Sequence, residues 1–475
     1  MLSAKENPAI RAINQLNRSR VFVCIKSNQI GFSCRIFLKT QYFCATTKHN
    51  NMKILLLGSG GREHAFAYKI TQSTHCSKLF VAPGNAGTAN CAENVAIAPT
   101  DFPKIASFCL ENDVKMLVVG PEDPLVKGVY DYFSETDSLK HIAVIGPSQN
   151  GAQLEGSKEF AKKFLQKHHI PTAQYGSFTA ETIDNGLSFL EGMLPPYVLK
   201  ADGLAAGKGV VILENLDDAK EELRSMLLDS KFGAASAKVV IEEFLDGIEM
   251  SCFVVTDGKS FKILPFAKDY KRIGVGDTGL NKGGMGAVSP VSFIDAELES
   301  RIVERIVKPT VAGISSDGIV YRGFIFIGLI NVGGNPFVIE YNVRMGDPET
   351  EVVLPRISSD LVELFQAVST QTLENYELQV DSRTAVTVMT VAGGYPEAYD
   401  KGFEISGIDK ITEALAFHAG TALHDEKVLT NGGRVLAVTA LADDLPEAIK
   451  KSYQNVEKLH FDKMYYRTDI GKDLL

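Results

Sequence analysis

The sequence predicts a multidomain α/β and α+β protein. Its parts are an N-terminal doubly wound parallel sheet, a central mixed domain carrying a small lid lobe, and a small mostly β C-terminal domain. Three observations carry this. Short apolar runs alternate with helical stretches from Met52 onward, glycine-bearing loops follow the first strands, and 475 residues exceed what one core organises. With 45% hydrophobic and 23% charged residues, the chain is globular in composition rather than disordered or fibrous. No uninterrupted apolar run of about 18 residues occurs, which argues against a membrane span. A net charge of -9 gives no general reason to bind nucleic acid or an anionic membrane, so an anionic substrate would need local basic and backbone N–H groups. Seven cysteines without a CxxC pair suit a reduced, cytoplasmic setting.

Residues 1–51 stand apart as a basic leader, rich in Lys and Arg with Glu6 as the single acid. Such a segment is either translated upstream sequence, with Met52 opening the first strand, or an organellar transit peptide. Its weak amphipathic periodicity favours the first reading and a cytoplasmic protein; a genuine transit peptide would make it organellar.

From Met52 the pattern runs KILLLG, REHAFAYKITQS, KLFVAPG, FPKIASFCLENDV, KMLVVGPED and IAVIGPS, with a further helix near Val129 to Phe133. Repeats of this length mean a parallel sheet whose ligand crevice lies at the carboxyl ends of its strands. The loops there are Gly58-Ser59-Gly60-Gly61, Pro83-Gly84-Asn85-Ala86-Gly87 and Gly120-Pro121-Glu122-Asp123-Pro124. The first is not a dinucleotide fingerprint, because Glu63 stands where a small residue is needed and Val81-Ala82-Pro83 offers no acid for a ribose. What remains is either an anion-holding helix N-terminus or a tight turn without a ligand.

The central domain reads as a helix (SKEFAKKFLQKH), strands (PPYVLKADG, GVVILEN), a helix (LDDAKEELRSMLL) and strands (AKVVIEEFL, MSCFVVTDG, FKILPFA). A long helix follows around Leu298 to Ser315, then strands GFIFIGLINV and PFVIEYNV and a helix from Asp360. Gly203 to Gly209 resembles a Walker A loop but has three residues between its first glycines instead of four, and Gly209 replaces the metal-binding Ser or Thr. Both departures argue against a P-loop enzyme. Lys208 at the loop tip and Lys200 on the preceding strand can still close over a triphosphate, the alternative being a solvated turn. In PFVIEYN the period of a strand puts Glu340 and Asn342 on one face, about 7 Å apart, as suits Mg²⁺ completed by water and phosphate. Directly after come Arg344, able to grip a carboxylate in bidentate fashion, and the acids Asp347, Glu349 and Glu351; a solvated charged turn is the alternative. Val239 to Glu249 is a strand entering an acidic loop, which suits an adenine edge with Glu249 at the ribose, or simply a core strand and an exposed turn. A C-terminal unit from about Leu378 contains TAVTVMTVAGGYP, KGFEISG, LAFHAGTAL, GRVLAVTALA and the helix LPEAIKKSYQNVEKL.

Taken together, GSGGREHA, APGNAGT, VVGPEDPLVKG, GPSQNGAQLEGSK, IPTAQYGSF, VLKADGLAAGKGV, VIEEFLDGIE, GGMGAVSP, IEYNVRMGDPETE, HAGT and TNGGRV resemble, in order, the phosphoribosylamine-glycine ligases, ATP-grasp enzymes of purine synthesis. The resemblance runs from Met52 to about Leu474. It leaves out the leader at 1–51 and implies a pre-ATP-grasp domain at 52–154, an ATP-grasp domain at 155–377 with its lid lobe at about 172–245, and a C-terminal β-rich domain at 378–475. It implies ligation of glycine to 5-phosphoribosylamine through a glycyl phosphate, with ATP as co-substrate, Mg²⁺ or Mn²⁺, and a monomer or dimer. By matching motifs, Lys158, Lys200 and Lys208 would meet the ATP phosphates, Glu242, Glu243, Phe244 and Leu245 the adenine, and Glu249 the ribose. Glu340 and Asn342 would hold the metal, and Arg344 and Asp347 would organise glycine, acting with Lys208 in catalysis. Gly60, Gly61, Asn85 and Gly87 would line the phosphoribosylamine pocket, with Asp269 and Lys271 closing it. Tyr270, Lys282 and Met345 depart from the residues common in the family at those positions, and the strand from Gly323 to Ile330 lacks the extra metal-binding acid of many ATP-grasp relatives. A biotin-carboxylase-like ligase would share the ATP machinery, but PGNAGT and RMGDPETE speak against it. A nucleotide-binding regulatory protein would not need to keep Glu340, Asn342, Arg344 and Lys208.

Overall fold

The computed structural model describes residues 52–204, 209–281 and 283–475. Lys208, Lys282 and the leader lie outside the described residues. The N-terminal strands β1 (Met52–Gly58), β2 (Cys76–Pro83), β3 (Glu93–Asn94), β4 (Met116–Val119) and β5 (Ala143–Pro147) pair in parallel in the order β5-β4-β1-β2-β3. A parallel sheet covered on both faces needs strands that are apolar throughout. β1 meets that demand: Ile54 and Leu56 enter one core while Leu55 and Leu57 enter another on the opposite face.

A separate antiparallel sheet occupies the stretch expected to form the lid lobe, from β6 (Tyr175–Phe178), β7 (Tyr197–Ala201), β8 (Val210–Leu213) and β9 (Val239–Glu243), ordered β6-β9-β7-β8. Its own small core joins Leu199 and Ile241 to Leu190 and to Leu223 and Met226 of the helix Leu216–Leu228. That helix starts where Asn215 accepts the N–H groups of Asp217 (2.8 Å) and Asp218 (3.3 Å).

β10 (Ile248–Thr256) and β11 (Phe261–Ile263) return to the central layer, where β10 pairs with the long β16 (Tyr321–Val332), itself paired with β17 (Asn335–Asn342). β16 also bonds β5 through Tyr321 and Arg322, so the parallel and antiparallel parts fuse into one nine-stranded sheet. The linear division of the sequence does not describe the next strands. β12 (Lys268–Asp269) and β15 (Gly286–Ser289), which the sequence reading kept in the central domain, form the edge of the C-terminal sheet beside β18 (Thr384–Val391), β22 (Arg434–Ala442) and β19 (Leu415–His418). Between them in sequence lies the hairpin β13 (Arg272–Gly274) and β14 (Thr278–Asn281), and a second hairpin, β20 (Thr421–His424) and β21 (Lys427–Thr430), lies between β19 and β22. The expected long helix is continuous from Ala296 to Ser316, with one π turn at Val303–Val307. Glu122, expected in a loop, opens a short helix, Glu122–Val126.

Candidate active site

The first strand-to-helix turn is built around a carboxylate. Glu63, in the first turn of the helix Gly61–Ile70, folds back so that Oε2 accepts the Gly60 N–H (2.6 Å), while Oε1 pairs with Arg62 Nε (2.6 Å). The side chain fits because Gly58 (φ +124°) and Gly120 carry no Cβ where it passes. Arg62 then reaches across: Nη1 donates to the Met345 carbonyl (3.1 Å), and its backbone N–H approaches Asp347 Oδ2 (3.4 Å). The glycine loop and the Arg344–Asp347 loop are thus held as one unit.

Asn85 is a clip. Its Nδ2 donates to the carbonyls of Ser59 (2.9 Å) and His418 (2.7 Å), and its Oδ1 accepts from Gly87 (2.8 Å) and Thr88 (3.0 Å). The side chain is committed inside the protein, so this residue shapes the crevice through the loop that it fixes. Gly60 and Gly61 stand at the helix N-terminus. Behind Gly61 lies Glu351, a buried side chain whose two oxygens have no hydrogen-bond partner. Burial and the facing Asp347 raise its pKa well above the usual carboxylate range, Arg434 opposing them.

In the loop after β17, Arg344 is gripped by acids of its own chain. Nη2 lies 2.7 Å from Glu155 Oε1 and Nε lies 3.2 Å from Glu122 Oε2. Glu155 also accepts the Val343 N–H (2.8 Å). Asp347 pairs with Arg434 Nη2 of β22 (3.0 Å), and Arg434 Nη1 donates to the Asp347 carbonyl (2.7 Å). Glu349 is buried beside Ser251 (3.3 Å), and burial together with Asp269 pushes it up to about 8.

On β17, Glu340 and Asn342 stand opposite Gly328 and Phe326 of the neighbouring β16; the glycine leaves room for the Glu340 side chain. Burial would raise the Glu340 pKa, but Lys271, Lys200, Lys158 and Arg344 outweigh it and hold the group below its ordinary value. One cleft is lined by Glu249, Ser251, Asp269, Lys271 and Glu340. Inside it Lys271 pairs with Glu249 (2.6 Å), and Asp269, raised by burial, faces the same lysine. Lys158 donates to the Gly203 carbonyl (3.2 Å) at the entrance of the loop that carries Lys208. Lys200 lies 2.9 Å from Glu242, whose other oxygen meets Lys162 at 2.8 Å. Glu243 accepts the Gln174 N–H (2.9 Å), and Phe244 is exposed at the turn it shares with Leu245.

The structure thus brings Lys158, Lys200, Lys271 and Arg344 around Glu340, with Asn342 on the same strand and Asp269 beside Lys271, and sets the glycine loops beside the Arg344–Asp347 loop. Sequence reasoning missed Lys162, Glu155 and Arg434. Lys162 sits in a Lys-Lys pair on an amphipathic helix and reads as a solvated charge, and the other two lie far from the motifs that they serve.

Among the described residues no group of three or more His, Cys, Asp or Glu side chains forms a metal cage. The smaller donor set of Glu340 and Asn342 does fit a hard cation. Glu340 is held ionised, and the buried Asn342, two residues along the same strand, offers a neutral amide oxygen beside it.

Known proteins match this architecture in three consecutive segments. Residues 52–155 match the family model of the phosphoribosylglycinamide synthetase N domain, 156–350 its ATP-grasp (A) domain, and 385–473 its C domain. The phosphoribosylamine–glycine ligase of Pseudomonas syringae is 47% identical over 425 residues, covering 88% of this chain and 97% of that protein. The chain belongs to the phosphoribosylamine–glycine ligase family. A solved phosphoribosylamine–glycine ligase from Thermotoga maritima superposes with a TM-score of 0.77 at 36% identity, covering 88% of this chain and all of that one. A biotin carboxylase from Campylobacter jejuni, 15% identical with a TM-score of 0.66 and covering 89% of this chain and 94% of that one, shares the fold alone. Within this ligase family fold, no helix of the described residues is long and apolar enough to cross a membrane. Among the described residues, Cys91, Cys109 and Cys252 form no disulfide.

Proposed function

We propose that the chain ligates glycine to 5-phosphoribosylamine, giving glycinamide ribonucleotide, ADP and phosphate in purine biosynthesis. The observation that carries the site assignment is the convergence of Lys158, Lys200, Lys271 and Arg344, from four parts of the chain, on the Glu340 carboxylate. A carboxylate so surrounded by cations suits a metal and a polyphosphate, which together reverse the local charge.

In this reading Lys158, Lys200 and Lys208 neutralise the ATP phosphates, the backbone of Glu242 to Leu245 meets the adenine, and Glu249 meets the ribose. Glu340 and Asn342 hold Mg²⁺ or Mn²⁺, which supplies charge neutralisation at the phosphates when bound. A glycine carboxylate oxygen attacks the γ-phosphorus; the new O–P bond forms as the bond to ADP breaks, giving glycyl phosphate. The phosphoribosylamine nitrogen then attacks the acyl carbon, phosphate leaves, and the nitrogen loses a proton. Neither step needs a protein nucleophile, so positioning and charge carry the catalysis.

Gly60, Gly61 and Gly87 form the phosphoribosylamine wall, and Asn85 holds it in shape. Asp269 and Lys271 close the opposite side. Arg344, restrained by Glu155 and Glu122, presents a fixed positive charge to glycine rather than a mobile clamp, and Asp347, tied to Arg434, orders the loop between the two substrates. Substituting Glu340→Ala tests the assignment. Glycine-dependent ADP release is expected to vanish while the melting temperature stays within a few degrees of the parent; near-normal turnover would remove Glu340 from the metal role.

A further inference from the structure

Two lysines share one buried carboxylate at the root of the lid lobe. Lys162 Nζ lies 2.8 Å from Glu242 Oε2 and Lys200 Nζ 2.9 Å from Oε1, and the three side chains are only 3%, 7% and 5% exposed for Lys162, Lys200 and Glu242. They come from three elements: the helix Lys158–Lys167 beneath the lid, β7 and β9. One carboxylate and two ammonium groups leave a positive charge uncompensated inside the trio.

The two lysines are held differently. Lys162 also donates to Thr172 Oγ1 (2.8 Å), whose hydroxyl donates to the Val338 carbonyl (2.7 Å), and it lies over the Tyr175 ring at 5.8 Å. It is thus tied to the segment leading into β6 and, through Thr172, to β17. Among the described residues, the second contact of Lys200 is a long one, 3.4 Å to the Ile339 carbonyl, next to Glu340. Glu243 cannot take over from Glu242, because it follows the strand alternation away from the trio and caps the Gln174 N–H.

We propose that Lys162 is a positioning residue: by occupying one oxygen of Glu242 it keeps that carboxylate from neutralising Lys200, and so leaves Lys200 free to meet the phosphate chain of ATP. This rests on the assignment of Lys200 to the phosphates made above. Lys162 itself touches no nucleotide. Without it, Lys200 and Glu242 form a closed neutral pair in a poorly hydrated site, and an incoming triphosphate has to break that pair before it gains a cation.

The test uses the full chain and four variants, Lys162→Met, Lys162→Arg, Lys200→Met and the double Lys162→Met with Glu242→Gln. For each, the KM for Mg-ATP, glycine and phosphoribosylamine and the thermal melt are measured. Lys162→Met is expected to raise the KM for ATP about tenfold while the KM for glycine stays within about twofold, and Lys162→Arg to remain near the parent. Adding Glu242→Gln to Lys162→Met is expected to restore most of the lost ATP affinity, since the amide no longer holds Lys200. A purely structural role for Lys162 would make the double variant worse than the single one. An unchanged ATP KM in Lys162→Met, beside a weakened Lys200→Met, would overturn the proposal. If Lys200→Met also binds ATP normally, it is the assignment of Lys200 that fails. Should Lys162→Met not fold, the double variant decides: ATP affinity near that of the parent supports the proposal, and weak binding by a folded protein overturns it.

Discussion

Replacing His64 by phenylalanine tests how the N-terminal and C-terminal domains are joined. His64 Nδ1 accepts the His418 N–H at 2.8 Å, and His418 Nδ1 meets Thr421 Oγ1 at 3.0 Å. Burial, and secondarily the neighbouring His418, pushes His64 down to about 3; burial pushes His418 down to about 4. Both are neutral in the folded protein at neutral pH. Because the folded values lie below the unfolded 6.5, the unfolded chain takes up protons as pH falls through 6.5 while the folded chain does not. Stability is therefore full above pH 6.5 and erodes on acidification. For one such histidine the loss between pH 7.5 and 5 is about 2 kcal/mol. His64→Phe removes that loss and, in exchange, leaves the His418 N–H unpaired, a cost of about 1–2 kcal/mol at every pH. The variant is thus expected to be less stable than the parent at pH 7.5 and to draw level near pH 5. Comparing parent and variant removes the contributions of Glu349, Glu351 and Asp269, whose raised values act in the opposite direction. Urea unfolding followed by circular dichroism at pH 7.5, 6 and 5, at fixed ionic strength, reads the difference. A gap that does not change with pH would refute the assignment of His64 as a buried neutral group.

Asn85→Ala removes the two hydrogen bonds that tie its loop to Ser59 and His418 and the two that it accepts from Gly87 and Thr88 within that loop, and should cost about 2–4 kcal/mol in urea unfolding while raising the KM for phosphoribosylamine more than that for ATP. An ATP-specific defect would contradict the division of the site. Gly61→Ala would drive a Cβ into Glu351 Oε1, and is expected to lower kcat/KM for phosphoribosylamine about tenfold or more with little change in the KM for ATP, as steady-state kinetics would show.

How much of this was legible in the sequence depended on the range of the interaction. The helix Leu216–Leu228 and the pairing of Glu340 with Asn342 on one face follow from local periodicity, and both stand as read. The crossing of β12 and β15 into the C-terminal sheet was not legible, because strand pairing over about a hundred residues leaves no mark in either strand alone. Side-chain use was less legible still. Asn85 and Arg344 have the right chemistry to face a substrate, yet the structure spends much of their hydrogen-bonding capacity on Ser59, His418, Glu122 and Glu155. Nothing in the local sequence around Lys162 marks the Glu242 that the fold brings against it.

The most direct measurement is ADP release by the purified protein with Mg-ATP, omitting in turn glycine and freshly generated 5-phosphoribosylamine, with product mass read in parallel. Release that requires both, with formation of glycinamide ribonucleotide, is the predicted result. Release that ignores glycine but responds to another carboxylate would contradict it.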